Sequence, residues 1–188
     1  AIKGAVEHLV SLGHQRIAYL GQVGHRMVLD QQLRRDAYIA ALKQMNLPMN
    51  DDWLLCEIDG PIPKGVDHYD ETSRRTLNYL RSVPADQRPT AIITFNDRTA
   101  LNLIQDLMQN GYEVPADMNV ISVDDSYLCR VLRPRITSMS HPLEAMGYRA
   151  TYMLQNRIEN GVPEDNQGIH ELYPSEVVIR QTTSTPRK

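Results

Sequence analysis

Residues 89 to 125 constrain the fold more than any other part of this 188-residue chain. Thr90 to Phe95 is an almost unbroken β-branched and apolar run, the pattern of a strand covered on both faces of a parallel sheet. Asn96 and Asp97 end it. From Thr99 onward Ala100, Leu101, Leu103, Ile104, Leu107 and Met108 recur at helical spacing, and Asn110-Gly111 supplies a left-handed stop. Asn119 to Val123 reads as a second strand, closed by Asp124 and Asp125. Two parallel strands joined by a helix bring Asn96 and Asp124 out at one carboxyl-terminal edge, where open α/β sheets bind ligands. An amide beside a carboxylate suits vicinal hydroxyls, because the amide donates and accepts while the carboxylate accepts twice. The same residues would serve as a helix cap and the start of a turn, and spacing alone leaves both readings open.

The remaining elements follow the same alternation. Ile2 to Leu12 carries Ile2, Ala5, Val6, Leu9 and Val10 on one face and stops at Gly13-His14, so a helix is expected, with Arg16 to Leu20 as the next strand. A helix is predicted from about Met27 to Met45, a strand over Trp53 to Ile58, and a helix over Thr72 to Val83. Asp59 to Asp70, with its prolines and glycines, is irregular. After Asp125 come a short helix or turn at Tyr127 to Leu132, an extended segment from Pro134 to Met139, and a helix from about Glu144 to Glu159. That helix is expected to bury Leu143, Met146, Ala150, Met153, Leu154 and Ile158. Residues 164 to 170 read as a polar loop, and Glu171 to Thr182 as final strand material.

Several motifs together resemble the effector-binding domain of the lactose and galactose repressor family. They are Pro89 to Ile92 with Asn96-Asp97 and Ala100-Leu101, then Gly111-Tyr112, Val114-Pro115 and Val120 to Asp125. Ala5 to Leu9 with Leu12 to Ala18, Arg34 to Tyr38, Arg135 to Met139 and Ile179 to Gln181 extend the match over nearly the whole chain. Thr137 to Pro142 and Asp124-Asp125-Ser126 are similar to the arabinose-repressor branch, whose DNA-binding headpiece is of the winged-helix type.

The resemblance implies an α/β, periplasmic-binding-protein-like fold, a parallel sheet flanked by helices. Residues 16–139 and 171–182 would form the carboxyl-terminal subdomain, while 1–14 and 142–160 would be helices of an otherwise missing amino-terminal subdomain. The DNA-binding headpiece would also be missing. It implies a cytoplasmic transcriptional repressor whose ligand domain binds a small sugar, with L-arabinose as the named candidate, and controls operator DNA binding from a homodimer.

In this reading Arg34 takes the place of the arginine in an Arg-x-x-Gly-Tyr motif that holds sugar hydroxyls with a planar fork of donors. Ala37 stands where the family has glycine, Tyr38 keeps the aromatic, and Arg35 is the alternative arginine. Arg34 alone would otherwise read as a solvated helical residue. Asn96 and Asp124 are the other polar anchors. His68 and Tyr69 are candidates for a ring stacked on the sugar, or for plain surface residues. By resemblance His141 and Leu143 touch the ligand from the far side of the cleft, and Leu101 and Leu132 lie in a two-fold dimer interface. Read from spacing alone, those leucines are core. Ser122 and Val123 depart from the usual glycine-aromatic pair before the two aspartates.

Composition limits the rival functions. A formal net charge of −3 argues against a nucleic-acid-binding surface in these residues. Cys56 and Cys129 lack metal-type spacing and read as buried, reduced thiols, so no metal site is expected. No cofactor is implied: Gly21 to Gly24 lacks the lysine and spacing of a phosphate loop, no serine sits in a nucleophile elbow, and the six histidines are scattered singly. An enzyme therefore ranks below a binding module. The absence of a membrane-length apolar stretch points to a soluble chain. The remaining rival is a sugar-binding protein of a transport system, which shares the two-lobed architecture.

Overall fold

A computed structural model of the chain describes residues 1–21, 29–55, 62–161 and 169–187. Its helices are α1 (Ile2–Ser11), α2 (Leu29–Gln44), α3 (His68–Ser82), α4 (Asp97–Gln109), α5 (Leu128–Val131) and α6 (Leu143–Asn160). The strands are β1 (Ile17–Leu20), β2 (Ala91–Thr94), β3 (Asn119–Val123), β4 (Thr137–Ser140) and β5 (Glu176–Val178). They form one sheet in the order β1-β2-β3-β4-β5. The first three pairings are parallel and β4–β5 is antiparallel.

β1, β2 and β3 are buried at every residue, as the continuous apolar runs require of strands covered on both sides. Alternation divides them between two cores. Ile17, Tyr19, Ile93, Ile121 and Val123 face α1 and α2, meeting Val6, Leu9, Tyr38 and Leu42. Ala18, Leu20, Ile92 and Val120 face α3 and α4, meeting Leu77, Leu80, Leu103 and Leu107. The predicted strand over Trp53 to Ile58 is reduced, among described residues, to a 3-10 turn at Asp51–Trp53 and a single parallel bridge from Leu54 to Tyr19. Residues 56–58 of that expectation lie outside the described residues, as do Cys56, the predicted helix start at Met27 and Val28, and most of the loop over 164–170.

Two expectations are corrected. The resemblance places α1 in a missing subdomain, yet Ile2, Ala5, Val6 and Leu9 are fully or almost fully buried against this sheet. Gly4 lies so close to Met139 that a Cβ there would come within 2.8 Å of Met139 Cε. α1 is therefore integral to this lobe. The face of α6 predicted to be buried is exposed instead: no residue of α6 is buried, and Leu143, Leu154 and Ile158 are 66%, 61% and 76% accessible. Its apolar stripe exists but is left largely open, with Ile169 and Tyr173 beside Met146, Met153 and Leu154. No described helix is long and apolar enough to cross a membrane.

Candidate functional site

The chain leaves β1 through α2 toward Leu54 on one side and returns through α3 to β2 on the other. Strand order thus reverses between β1 and β2, the kind of point at which open α/β sheets leave a crevice at their carboxyl ends. Phe95 and Asn96 follow β2 at this point.

Arg34 reaches it because of Tyr38, one helical turn later on the same face of α2. The Tyr38 hydroxyl donates to Ile17 O at 2.7 Å, and its ring stacks on Tyr19 at 5.5 Å. With α2 fixed there, the Arg34 guanidinium extends over the sheet edge. Nη1 donates to Phe95 O, Nη2 donates to Asp124 Oδ1 at 3.2 Å, and Cζ lies 4.6 Å from the centroid of the Phe95 ring. Arg35 instead pairs with its neighbour Asp36.

Asp124 is held at φ 109° and Asp125 at φ 49°, a left-handed pair that non-glycine residues adopt at some cost and that tends to occur at functional sites. Asp124 remains partly accessible, and His141 Nε2 lies 3.7 Å from its Oδ1. The Ser175 hydroxyl lies 3.0 Å from His141 Nδ1 on the opposite side of that ring. Burial pushes the Asp124 carboxyl above the ordinary aspartate range and Asp97 adds to this, while Arg34 and His141 pull the other way. Arg34, Asp124 and His141 thus converge from α2, the β3 loop and the β4 loop.

Asn96 turns out to be both cap and candidate anchor. Its Oδ1 accepts from Thr99 N and Thr99 Oγ1, each at 2.9 Å. Both lone pairs are occupied, so only its amide N–H groups remain for a ligand. Tyr69 and His68 begin α3, their rings 4.0 Å apart, and the Arg98 guanidinium lies 4.3 Å from the Tyr69 centroid. Tyr69 thereby joins the start of α4 through Arg98. Leu143 is exposed at the start of α6, next to Pro142 and His141. Leu101 is half-buried on α4, and Leu132 packs partly against the core beneath α3 and α4.

The spacing did not reveal what supports this site. Asp97, 2% accessible, accepts from Ser122 Oγ, from Ser138 Oγ at 2.9 Å and from Ser126 N at 2.6 Å. Ser122 and Ser138 are register partners on β3 and β4. Ser122, a hydroxyl inside the apolar run of β3, was the available signal. Ser138 Oγ also accepts from Asp125 N at 3.1 Å. Asp125 is engaged by Arg180 at 2.6 Å and Arg130 at 3.4 Å, so its carboxylate serves the scaffold.

Residues 6–183 match the model of the periplasmic binding protein-like domain. The chain belongs to this family. Among curated relatives, the HTH-type transcriptional repressor PurR of Vibrio parahaemolyticus is 33% identical over 95% of this chain and 48% of its own length. The arabinose metabolism transcriptional repressor of Geobacillus stearothermophilus is 28% identical over 94% of this chain and 45% of its own. The chain spans about half the length of the curated relatives it matches. A LacI-family regulatory protein from Chloroflexus aggregans superposes with a TM-score of 0.77 at 25% identity, covering 96% of this chain and 59% of that one. The transcriptional regulator CelR in complex with cellobiose shares the periplasmic binding protein-like fold, with a TM-score of 0.76 at 21% identity over 97% and 51%.

Proposed function

We propose that this domain is the ligand-sensing part of a cytoplasmic bacterial transcriptional repressor and binds a small sugar at the carboxyl edge of the sheet. The observation that carries the reading is the convergence of Arg34, Asp124 and His141 on the point where strand order reverses. Arg34 donates to hydroxyls, Asp124 accepts from them and the Asn96 amide adds a donor, a complement suited to a polyol. His68 and Tyr69 would cover an apolar sugar face from α3. A pentose such as L-arabinose fits the resemblance to the arabinose-repressor branch. The regulators among its relatives favour this over a transport protein or an enzyme.

The exposed stripe of α6 supports assigning residues 142–160 to a second lobe that closes the cleft, with His141 and Leu143 at the junction. Ligand affinity that differs between open and closed forms would then set the spacing of DNA-binding headpieces in a homodimer. Calorimetry of the two-lobed protein against pentoses, hexoses and nucleosides tests the reading. Asp124→Ala should cost on the order of 1–3 kcal/mol of binding, because a sugar hydroxyl then loses its carboxylate acceptor. Unchanged affinity in that variant would remove the site. For the homodimer, Leu101→Glu should halve the mass in analytical ultracentrifugation. Leu132 is the poorer probe, since its side chain also supports the core.

A further inference from the structure

The opposite edge of the sheet carries an arginine-lined basin that the effector reading does not use. It lies where β1, β2 and β3 begin, is lined by Arg16, Arg81, Arg88, Thr90, Asn119 and Arg187 among others, and encloses about 590 Å³. That volume is in the range of small-molecule sites.

Arg16 and Arg88 are half-buried, and each is fixed by its Nε. Arg16 Nε donates to Arg88 O and Arg88 Nε donates to Val83 O, both at 2.7 Å. Their terminal nitrogens make no hydrogen bond or ion pair among the described residues. Arg81 spends one terminal nitrogen on Asn110 Oδ1, at 2.5 Å. Asp117, the carboxylate in the lining, is already taken by Arg187 at 2.6 Å, and Arg187 also holds Glu113 at 2.7 Å. Asp86, on the loop before Arg88, is exposed and makes no ion pair among the described residues.

Arginines at such an edge could simply balance the carboxyl ends of α3 and α4, which point here. Each helix end carries only about half a negative charge. Two ends offset roughly one of three unpaired guanidinium charges, and the second carboxylate on Arg187 offsets another, leaving an excess of about one. Holding like charges together in a half-buried cavity is unfavourable unless an anion completes them.

We propose that this basin binds a small phosphorylated metabolite, its dianionic phosphate held between the terminal nitrogens of Arg16 and Arg88 with Arg81 at the rim. Pre-fixed planar donors suit a tetrahedral oxyanion, and the excess of positive charge favours an anion there. The basin lies at the far edge of the sheet from Arg34 and Asp124, so the chain would carry a second ligand input.

The test is an NMR titration of the 188-residue chain with inorganic phosphate, glucose 6-phosphate and glucose at constant ionic strength. Saturable shifts of the Thr90 and Asn119 amides are expected with glucose 6-phosphate, weaker ones with inorganic phosphate and none with glucose. Arg16→Gln and Arg88→Gln should each weaken glucose 6-phosphate binding by about tenfold. Arg81→Gln, an exposed change that does not threaten folding, should weaken it about threefold. Asp124→Ala should leave it unaltered. Lack of saturation with glucose 6-phosphate, or equal binding by wild type and all three arginine variants, would overturn the proposal.

Discussion

Ser138 Oγ lies 2.9 Å from Asp97 Oδ1, which ties β4 to the first residue of α4 across the intervening strand β3. Ser122, on β3, donates to the same carboxylate, and the three groups form a closed buried triangle. The left-handed Asp124-Asp125 turn hangs from this triangle through Asp125 N and Ser126 N. A buried network of this kind is stabilising only while every member is satisfied.

Asp97→Ala leaves two hydroxyls and one backbone N–H without their acceptor. A loss of about 3 kcal/mol is expected, near the lower end of what three unsatisfied groups cost together. Urea unfolding checks it: the midpoint should fall at unchanged slope. Asp97→Asn should be milder, because its oxygen still accepts but its NH2 faces Ser126 N.

Asp124 should behave in the opposite sense. Its carboxyl is pushed up by burial. A raised folded-state value means a stability contribution present below the unfolded value and lost as pH rises through the folded one, so ionised Asp124 is a net cost at neutral pH. Asp124→Asn is expected to melt at or above the wild-type temperature at pH 7, and the difference should vanish below about pH 3.8. Sugar binding by the same variant should fall, the usual trade between stability and function at a strained site. Thermal melts at pH 7 and pH 3.5 distinguish this from a merely structural role, for which the variant would melt lower at pH 7.

Much of this architecture was legible before any coordinates. β3 has the bounds read from Asn119 to Val123, and α4 begins at Asp97, two residues before the helical pattern read from Thr99, because burial on both faces and helical spacing both mark the sequence strongly. Arg34 was legible only through resemblance, since nothing in its local pattern reveals that Tyr38, anchored on Ile17, aims it at Asp124. The Asp97 network escaped because its partners are 25 to 41 residues away, and only strand register brings them together. The burial of α1 and the exposure of α6 also escaped, because an apolar helical stripe states that it needs a partner without saying which.

The carboxyl-terminal segment gives a pH test. His14 is buried, with Nε2 2.9 Å from Ser184 O and Nδ1 2.8 Å from Thr90 Oγ1. A carbonyl only accepts, so Nε2 carries the proton in the neutral ring. Burial holds His14 below its ordinary value of 6.5, and His8, which meets Thr183, is lowered by burial and by His14. The unfolded chain therefore binds more protons, and stability should be lost as pH falls below 6.5. His14→Gln should lose less stability than wild type between pH 6.5 and 5, with His8 supplying the remainder. Parallel melting curves for the two proteins would contradict this assignment.

Cys129 gives the last prediction. Its side chain is fully buried in the core beneath α3 and α4, with Sγ 3.9 Å from Ser122 Oγ. Burial, with Asp97 adding to it, pushes the thiol up to about 12. The thiolate is the reactive form, and it is scarce at neutral pH when the thiol titrates so high. Cys129 should therefore resist iodoacetamide in the folded protein at pH 8 and react at an ordinary thiol rate once urea unfolds the chain. Peptide-level mass spectrometry separates it from Cys56. In Asp97→Ala the carboxylate that helps raise it is gone and the surrounding network is loosened, so Cys129 labelling should accelerate in proportion to the lost stability. If native wild-type Cys129 labelled as fast as an exposed thiol, the β3–β4 core would have to open far more often than its packing implies.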